Sequence, residues 1–392
     1  MRKETVAFVI IGLLLIINQD FIIIEETNPV PYQQNLATPG QSDTPIVIIG
    51  DLELAEHSSK GTGNKNDPYE ISGLNIVYNR GTCIIIQNTS AYFIVKDSIF
   101  KSIPIGTIVF DLIGVENGLI ENCTIRGSSI GVRLTNCTNC IISDTTSVVA
   151  SQAGFQIIGS DKCTIQNCIT QRSLDGVYIE SSNDTLVVNS TIYRNKRRGL
   201  SIGLDSENTT VYNNRLGWNP TNAHNDGSNT DFTNGIDSGN AWSDYVGFGA
   251  YWILGSVTIA DTHPTRFTDT TKPIINSPED IVFDAESQGN TLTWSASDDI
   301  PYLYQLFLEN MAYNSEVWDG SDITVLLDGL PTGAFTMIMN VTDAAGNWAI
   351  DEVVVEKVNF MLSSIDMGLV VWASALTVVM LIALVIVVKK MT

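Results

Sequence analysis

The sequence predicts an all-β protein built on a right-handed parallel β-helix of about 6–7 coils, each 22–25 residues long. Glycines recur at this interval, and each opens a short apolar run: Gly106, Gly131, Gly154, Gly176 and Gly199. A fixed period of 20–50 residues is typical of stacked repeats, in which no unit buries its apolar face alone. The units lack helical periodicity and are punctuated by Gly and Asn, which favours strands over helices.

A second row of residues keeps step with the glycines: Asn122, Asp144, Asn167, Asn189 and then Asn213 or Asn214. Parallel strands stack like residues over like, so this row is predicted to lie at a turn. There its side chains would bond to the backbone or to the neighbouring coil. The same stacking predicts an apolar column of Ile120, Ile142, Ile165 and Val187.

The N-terminal 24 residues combine a basic start with an apolar run from Val6 to Ile17. This pattern predicts a signal peptide, but no small-residue cleavage site follows it, so an uncleaved N-terminal anchor is the alternative. Residues 25–45 are polar and contain four prolines, and they are predicted to be an extended linker.

The C-terminal segment predicts a membrane anchor. Residues 368–388 carry no charge, and a helix of that length would span roughly 30 Å, the thickness of a bilayer core. Lys389 and Lys390 follow at once, which places the tail 389–392 in the cytoplasm. Residues 360–367 form a juxtamembrane linker, and we expect everything between the linker and residue 25 to be extracellular.

The formal net charge of −22 argues against nucleic acid or anionic lipid as a partner, because the electrostatic interaction would be repulsive. An acidic surface of this kind keeps a protein soluble. The acidic surface has two alternative explanations, binding of cations by a face of the solenoid and adaptation to an acidic environment. The sequence does not favour either of them.

Seven Asn-x-Ser/Thr sequons lie in the predicted exterior. Two of them, Asn122 and Asn189, fall in the Asn/Asp row, where burial would block modification. The better candidates for glycosylation are Asn88, Asn136, Asn183, Asn208 and Asn340. Chance is the competing explanation, because a chain rich in Asn, Ser and Thr produces such triplets.

All six cysteines fall within the repeats. Aligning the coils places Cys140 over Cys163, one strand spacing apart, which is within the Cα range for a disulfide. Stacked side chains run parallel, however, and this leaves their Cβ atoms too far apart for a relaxed bond. The sequence therefore favours small apolar core residues, with a Cys140–Cys163 disulfide as the alternative.

Two boxes flank the repeats: Gly61-Thr62 through Asn66-Asp67-Pro68-Tyr69-Glu70-Ile71, and Asn240-Ala241-Trp242-Ser243-Asp244-Tyr245. Together with the repeats, they resemble the NosD-type β-helix proteins, a pattern that also occurs in archaeal cell-surface proteins. The resemblance covers residues 46–265. It implies an association with copper-site maturation, which does not carry over, because soft ligands for copper are not grouped in this chain. No metal site is therefore assigned.

Residues 266–359 follow a different pattern, with period-2 strands separated by Asp319-Gly320, Thr332-Gly333 and Gly346-Asn347. About 90 residues with this strand spacing predict a β-sandwich. The set of Pro273, Trp294 and Asp343 to Asn347 resembles the immunoglobulin-like stalk modules of prokaryotic surface proteins.

Catalytic groups are sparse. A lyase needs a base, and Lys196-Arg197-Arg198 is the one basic cluster of the solenoid, with Asp175 a coil earlier. Alignment predicts an Asp175–Arg198 ion pair at the surface, and Lys196, Arg197 and Asp175 are the weak candidates for catalysis. A hydrolase needs two clustered carboxylates, and of the sparse acids only Glu180 and Asp205 come near to equivalent positions.

Two groups of acids could supply oxygen ligands for Ca²⁺, although capping of turns is the commoner role. The first is Asn225 and Asp226 with Asp231 and Asp237, and the second is Asp298 and Asp299 with Asp343. A cluster of aromatic residues after the last coil also has two interpretations, a hydrophobic cap or a platform on which sugars stack. Its members are Trp218, Trp242, Tyr245, Tyr251 and Trp252.

These observations together predict a membrane-anchored surface protein that displays a β-helix for non-catalytic binding or adhesion. The predicted ligand is a carbohydrate or a neighbouring surface protein. Two alternatives remain open: an extracellular polysaccharide lyase or glycoside hydrolase, and a structural component of the cell envelope.

Overall fold

Three strands per coil build the solenoid, seen in a computed structural model that describes residues 45–77, 81–101 and 106–359. The predicted signal segment 1–24, most of the linker and all of residues 360–392 lie outside the described residues. No helix in the part of the chain that is described is long and apolar enough to cross a membrane. All described residues fall within one compact unit.

The strands stack into three parallel faces, numbered here in the order in which a coil visits them. Face 1 contains Tyr69–Ser72, Phe93–Lys96, Gly118–Glu121, Ile141–Ser143, Thr164–Gln166, Leu186–Val188 and Thr210–Tyr212. Face 2 contains Asn75–Ile76, Ile99–Phe100, the first parts of Thr124–Thr135 and Thr146–Ile158, then Ile169–Gln171, Thr191–Tyr193, Arg215–Gly217, Ala241–Trp242 and Thr265–Arg266. Face 3 contains Ile46–Ile49, Ile84–Gln87, Ile108–Ile113, the second parts of the two long strands, then Asp175–Glu180, Arg198–Ile202 and Thr221–Asn225.

The stacking confirms the predicted parallel β-helix. Ile142 pairs in register with Ile120 on one side and Ile165 on the other, and Ile165 pairs with Val187. Each of these four side chains is at most 1% exposed. Face 3 has eight strands, so the solenoid makes about eight coils rather than the 6–7 predicted. The predicted number is lower because the first face 3 strand, Ile46–Ile49, lies outside the glycine period.

The Asn/Asp row lies at the corner between faces 1 and 2, in the left-handed backbone region. Asn122, Asp144, Asn167, Asn189 and Asn213 have φ angles of 48°, 49°, 54°, 54° and 56°. Asn and Asp tolerate this region better than other residues with a Cβ, which explains why they recur here. Asn122 and Asn189 are exposed, not buried as expected, because the corner turns their side chains outward.

In the later coils, the residue after the corner forms part of a buried polar ladder that the sequence did not reveal. Its side chain accepts a hydrogen bond from the backbone N–H of the equivalent residue in the preceding coil. Ser190 accepts from Cys168 at 3.1 Å, Asn214 from Ser190 at 2.9 Å, and Asn240 from Asn214 at 3.1 Å. Each bond satisfies a buried donor that the turn leaves without a strand partner.

Most of the repeat glycines do not form turns. Gly131, Gly154, Gly176 and Gly199 lie buried at the start of face 3, with φ outside the left-handed region. A Cβ on Gly176 would lie 2.6 Å from the carbonyl oxygen of Gly199 in the next coil. Close approach of successive coils therefore excludes a side chain at this row. Gly106 differs, with φ of +96° and open space around it.

Both boxes close the ends of the solenoid. The first folds on itself, since a Cβ on Gly61 would meet the Pro68 carbonyl at 1.9 Å. Beside it lies a helix that the sequence did not predict, Gly50–His57, with Leu54 fully buried. In the second box, Trp242 is fully buried and donates from Nε1 to Asp261 Oδ2 at 2.9 Å. An antiparallel ribbon, Tyr251–Ile253 with Ile259–Asp261, completes this end.

The second module has its own core and is all β. A five-stranded sheet is formed by Ile281–Asp284, Trp348–Val358, Gly333–Asp343, Pro301–Leu308 and Met311–Val317, in that order. Two smaller sheets pair Thr291–Trp294 with Ile323–Leu326, and Ile274–Ile275 with Ala296–Ser297. Trp294 is fully buried in the core of this module. Membership of the immunoglobulin-like class stays a prediction.

The second module is docked on face 2 of the solenoid instead of standing apart as a spacer. Arg126 donates to the Val317 carbonyl at 2.6 Å, and the Tyr193 hydroxyl donates to the Pro301 carbonyl at 2.8 Å. The Tyr302 ring lies under the guanidinium groups of Arg172 and Arg194, at 5.2 and 4.8 Å. Face 2 is therefore covered along its middle coils.

All six cysteines are free thiols inside the solenoid, each at most 2% exposed. Cys140 and Cys163 occur in adjacent coils as the alignment predicted, without a bond between them. Burial raises the pKa of Cys83, Cys123, Cys163 and Cys168 to about 12, so these thiols stay protonated and unreactive.

Candidate binding face

The three faces of the solenoid differ in what they offer to a ligand. Face 2 is covered by the second module. Face 1 turns a half-buried column of mostly aliphatic side chains outward: Ile94, Leu119, Ile141, Thr164 and Leu186. Face 3 instead carries polar outward side chains, which is why it is the candidate site.

Four members of the central column of face 3 are the second residue after Gly131, Gly154, Gly176 and Gly199, and His224 continues the column in the next coil. Its members face one another in register: Arg133, Gln156, Tyr178, Ser201 and His224. Neighbours in such a column are about 4.8 Å apart. Side chains that donate and accept hydrogen bonds thus follow one another along the solenoid axis, and one of them is aromatic.

One bidentate ion pair lies at the start of this column, and a second lies beside it. Arg133 donates to both Asp111 oxygens, from Nε at 2.9 Å and from Nη2 at 2.7 Å. Arg197 likewise donates to both oxygens of Asp175, from Nε to Oδ1 at 2.9 Å and from Nη2 to Oδ2. In both pairs the carboxylate is buried and belongs to the preceding coil. The charges of these four groups are therefore already neutralised.

The partner of Asp175 was predicted wrongly. The backbone of Asp175 does align with Arg198, but Arg197 makes the ion pair, and Arg198 donates to Ser201 Oγ at 3.0 Å. Hydrogen bonding to Asp175 raises the pKa of Arg197 above its usual value, so Arg197 is not available as a base. Lys196 is exposed and lies beside this pair without joining it.

A second column on face 3 contains two carboxylates, Glu180 and Asp226, with Gly203 between them. A Cβ on Gly203 would lie 2.6 Å from Glu180 Oε2, so the Glu180 carboxylate leans over the glycine, toward Asp226. The Tyr178 hydroxyl donates to that same oxygen.

Asp226 is held by its surroundings as an anion. It accepts from the Ser256 N–H at 2.7 Å and lies 3.5 Å from His224 Nδ1. Hydrogen bonds from Ser256, and then the charges of His224 and Arg198, lower the pKa of Asp226 below its usual value. Asp205, the predicted partner of Glu180, instead lies at a turn with φ of 58°.

The aromatic cluster is divided between core and surface. Trp242 is buried and stacks on Tyr251 with ring centroids 4.1 Å apart, while Trp218 packs edge-on against Phe267 at 4.7 Å. Tyr245 is half-buried and donates to the Gly249 carbonyl. Trp252 alone of the five predicted residues is exposed, at 66%. Most of the cluster thus fills the end of the solenoid.

One of the two predicted calcium sites is brought together, in a modified form. Asp269, Asp298 and Asp343 place carboxylate oxygens within 4.8 Å of one another, the one such group among the described residues. Asp269 replaces the expected Asp299. Asp343 is fully buried and accepts from the Gly346 and Asn347 N–H groups. Burial, and then the charges of Asp343 and Asp269, raises the pKa of Asp298 to about 6.

The predicted glycosylation residues differ in exposure. Asn88, Asn136 and Asn208 are exposed at left-handed turns, whereas Asn183 and Asn340 are half-buried in strands or bridges. These glycosylation assignments stay predictions.

Sequence reasoning missed the central column of face 3. Its signal was present, since Arg133, Gln156, Tyr178 and Ser201 each follow a repeat glycine by two residues. Polar side chains at that offset, beside buried ones on both sides, mark an outward position on a strand.

Residues 60–216 match a family model described as "Right handed beta helix region". Among solved structures, the chain is similar to the enzymatically active domain of tailspike protein 2 from bacteriophage CBA120. The sequence identity is 10% and the TM-score 0.31, over 74% of this chain and 63% of that one. The chain thus spans less than two thirds of that protein, and a similarity this low carries no functional argument. No curated protein matches this chain.

Proposed function

We propose that this chain is a membrane-anchored cell-surface protein whose face 3 binds carbohydrate without catalysis. In this proposal the β-helix is of the NosD-like archaeal surface type, the second module is immunoglobulin-like, and residues 368–388 form the anchor. The ectodomain is then extracellular, and a neighbouring surface protein is the alternative ligand.

The observation that supports this proposal is the polar central column of face 3, in which Ser201 is buried and the other four side chains, from Arg133 to His224, are half-buried. An extended polymer lies along such a column in register with the coils. Gln156 offers both donors and an acceptor, and Tyr178 offers an aromatic ring on which the C–H face of a sugar can pack.

Charge pairing favours a neutral polymer over a charged one. Arg133 and Arg197 already bind Asp111 and Asp175 through two hydrogen bonds each, so neither guanidinium is free for an acidic sugar. The strongly acidic chain would in addition repel a polyanion.

The test uses the full-length chain in detergent and a panel of neutral and acidic polysaccharides, with dissociation constants measured by calorimetry. Tyr178→Ala should weaken binding of a neutral polymer by about tenfold, the equivalent of roughly 1.4 kcal/mol. Thr164→Ala, which removes a half-buried outward side chain from face 1, is the matched control and should leave affinity unchanged. Equal affinity of both variants, or no binding by any sugar, would reject face 3 as the site.

A glycoside hydrolase is the second candidate, because Glu180 and Asp226 lie in one column with only Gly203 between them. Hydrolysis uses two such carboxylates, one of them protonated as a general acid. New reducing ends released from a bound polysaccharide, and their loss in both Glu180→Gln and Asp226→Asn, would establish this activity. Binding without turnover would favour the non-catalytic proposal.

The lyase alternative rests on Lys196, since Arg197 and Asp175 are paired. Unsaturated sugar ends that the wild type releases from a polysaccharide, and that Lys196→Ala does not release, would support a lyase. If no sugar binds and no ends appear, binding of a neighbouring surface protein and a structural role in the envelope are the remaining proposals.

A further inference from the structure

The outer face of the five-stranded sheet in the second module carries a patch of exposed apolar side chains among polar ones. The strand Trp348–Val358 alternates buried valines with exposed residues. Trp348, Ile350 and Val354 are 51%, 53% and 41% exposed, and the exposed Glu352 lies among them. The neighbouring strands add half-buried Ile338 and Phe307 to the same face. Soluble proteins rarely leave such a surface without a function.

A sequon lies in the middle of this face. Asn340 pairs in register with Gln305 on one side and Ile350 on the other, and Thr342 pairs with Trp348. Val341, between them, is buried in the core. Because side chains alternate along a strand, Asn340 and Thr342 both point to the outer face, next to the exposed Ile350 and Trp348.

The Asn340 amide is poorly satisfied as it stands. Its Oδ1 is buried and has no hydrogen-bond partner. A buried acceptor without a partner costs stability. The residue as a whole is half-buried, and its amide nitrogen is the atom that N-glycosylation modifies.

We propose that an N-linked glycan on Asn340 covers this apolar face. A transferase would move an oligosaccharide from a lipid-linked pyrophosphate donor to the amide. The sugar C1–N bond forms, the C1–O bond to phosphate breaks, the amide loses one proton, and the lipid pyrophosphate leaves. The first sugars then lie against Ile350 and Trp348, whose ring is fixed from another side by Lys272, 5.1 Å from its centroid.

This inference rests on the proposed extracellular location, because only an exported chain meets the transferase. It explains why the apolar face needs no protein partner. It also separates Asn340 from the solenoid sequons Asn88, Asn136 and Asn208, which lie at polar turns. At those turns a glycan would extend into solvent and not cover a surface.

The test is peptide mass spectrometry on the full-length chain purified from the membranes of its own cells. We expect a glycan mass on Asn340 in the wild type and in Thr342→Ser, which keeps the sequon, and its loss in Thr342→Ala. The Ala variant should also bind an apolar fluorescent dye more strongly, whereas Asn208→Gln, which removes a turn sequon, should not.

The outcomes distinguish this inference from the proposal on which it rests. Bare Asn340 with glycans on other sequons would overturn the covering glycan and leave the extracellular location intact. Bare asparagines at all seven sequons would contradict both. A glycan on Asn340 without a change in dye binding in the Ala variant would reject the covering role. A dimer with Trp348 at its interface would show that a second copy covers the face.

Discussion

Replacing one buried glycine with alanine tests the argument that close approach of the coils, and not turn conformation, selects the glycine row. In Gly176→Ala the new Cβ would lie 2.5 Å from Thr170 Oγ1, 2.6 Å from the Gly199 oxygen and 2.7 Å from Ile192 Cγ2. The two side chains can shift slightly. The carbonyl cannot, because it belongs to the backbone of the adjacent stacked coil.

The magnitude follows from these three contacts. Overpacking of a core costs about 1–3 kcal/mol, and a clash with fixed backbone puts Gly176→Ala near the upper limit. For a domain of this size, each kcal/mol lowers the unfolding temperature by about 2–4 °C, so we expect a decrease of roughly 6–12 °C. The assay is thermal unfolding followed by circular dichroism, with the full chain in detergent.

The matched control is Gly329→Ala in the second module. Its Cβ would meet nothing within 4 Å, and its φ lies outside the left-handed region. This change should leave the unfolding temperature unchanged or raise it slightly, through the reduced entropy of the unfolded chain. A decrease below about 2 °C in Gly176→Ala, corresponding to less than 1 kcal/mol, would refute the close-approach argument.

Three further changes test other parts of the molecule by the same assay. Arg197→Ala should destabilise the solenoid by about 1–3 kcal/mol, because it leaves the buried Asp175 carboxylate without its half-exposed partner. The exposed Lys196→Ala should be neutral, and equal effects of the two changes would contradict the ion pair. The pKa of Asp298 is raised to about 6 in the folded protein. Between about pH 4 and pH 6, Asp298 is therefore charged in the unfolded chain but protonated in the folded protein. The free energy of unfolding should fall as the pH rises through this range. Asp298→Asn should flatten that slope and raise the unfolding temperature at pH 7, and an unchanged slope would count against the acidic cluster. Asp261→Ala should lower the unfolding temperature, because it leaves buried N–H donors at the C-terminal cap without their acceptor. A substitution in an exposed loop should leave the unfolding temperature unchanged.

The coil repeat could be predicted because each coil must supply the same inward side chains to a stacked core. Spacing alone placed Ile142 over Ile120 correctly, since parallel strands in register have no other way to bury both. The buried ladder could not be predicted, because Cys168, Ser190 and Asn214 share a position but not a residue type.

Side-chain reach explains the error at Asp175. Backbone register fixes which residues face each other, but an arginine side chain is long enough to reach past its own position. Arg197 therefore bonds to Asp175 although Arg198 is the residue opposite. The docking of the second module was equally hidden, because Arg126 and Arg194 look like ordinary surface residues until Val317 and Tyr302 are placed against them.

Docking on face 2 has a mechanical consequence. If the second module is tethered at its C-terminal end, tension passes through Arg126, Tyr193 and Arg194 into the middle coils of the solenoid. The load is then shared by several coils in shear and does not peel the last coil from the stack. Little of this force then reaches the last coil, which Trp242 closes. The solenoid can therefore hold a ligand under tension without unfolding from its C-terminal end.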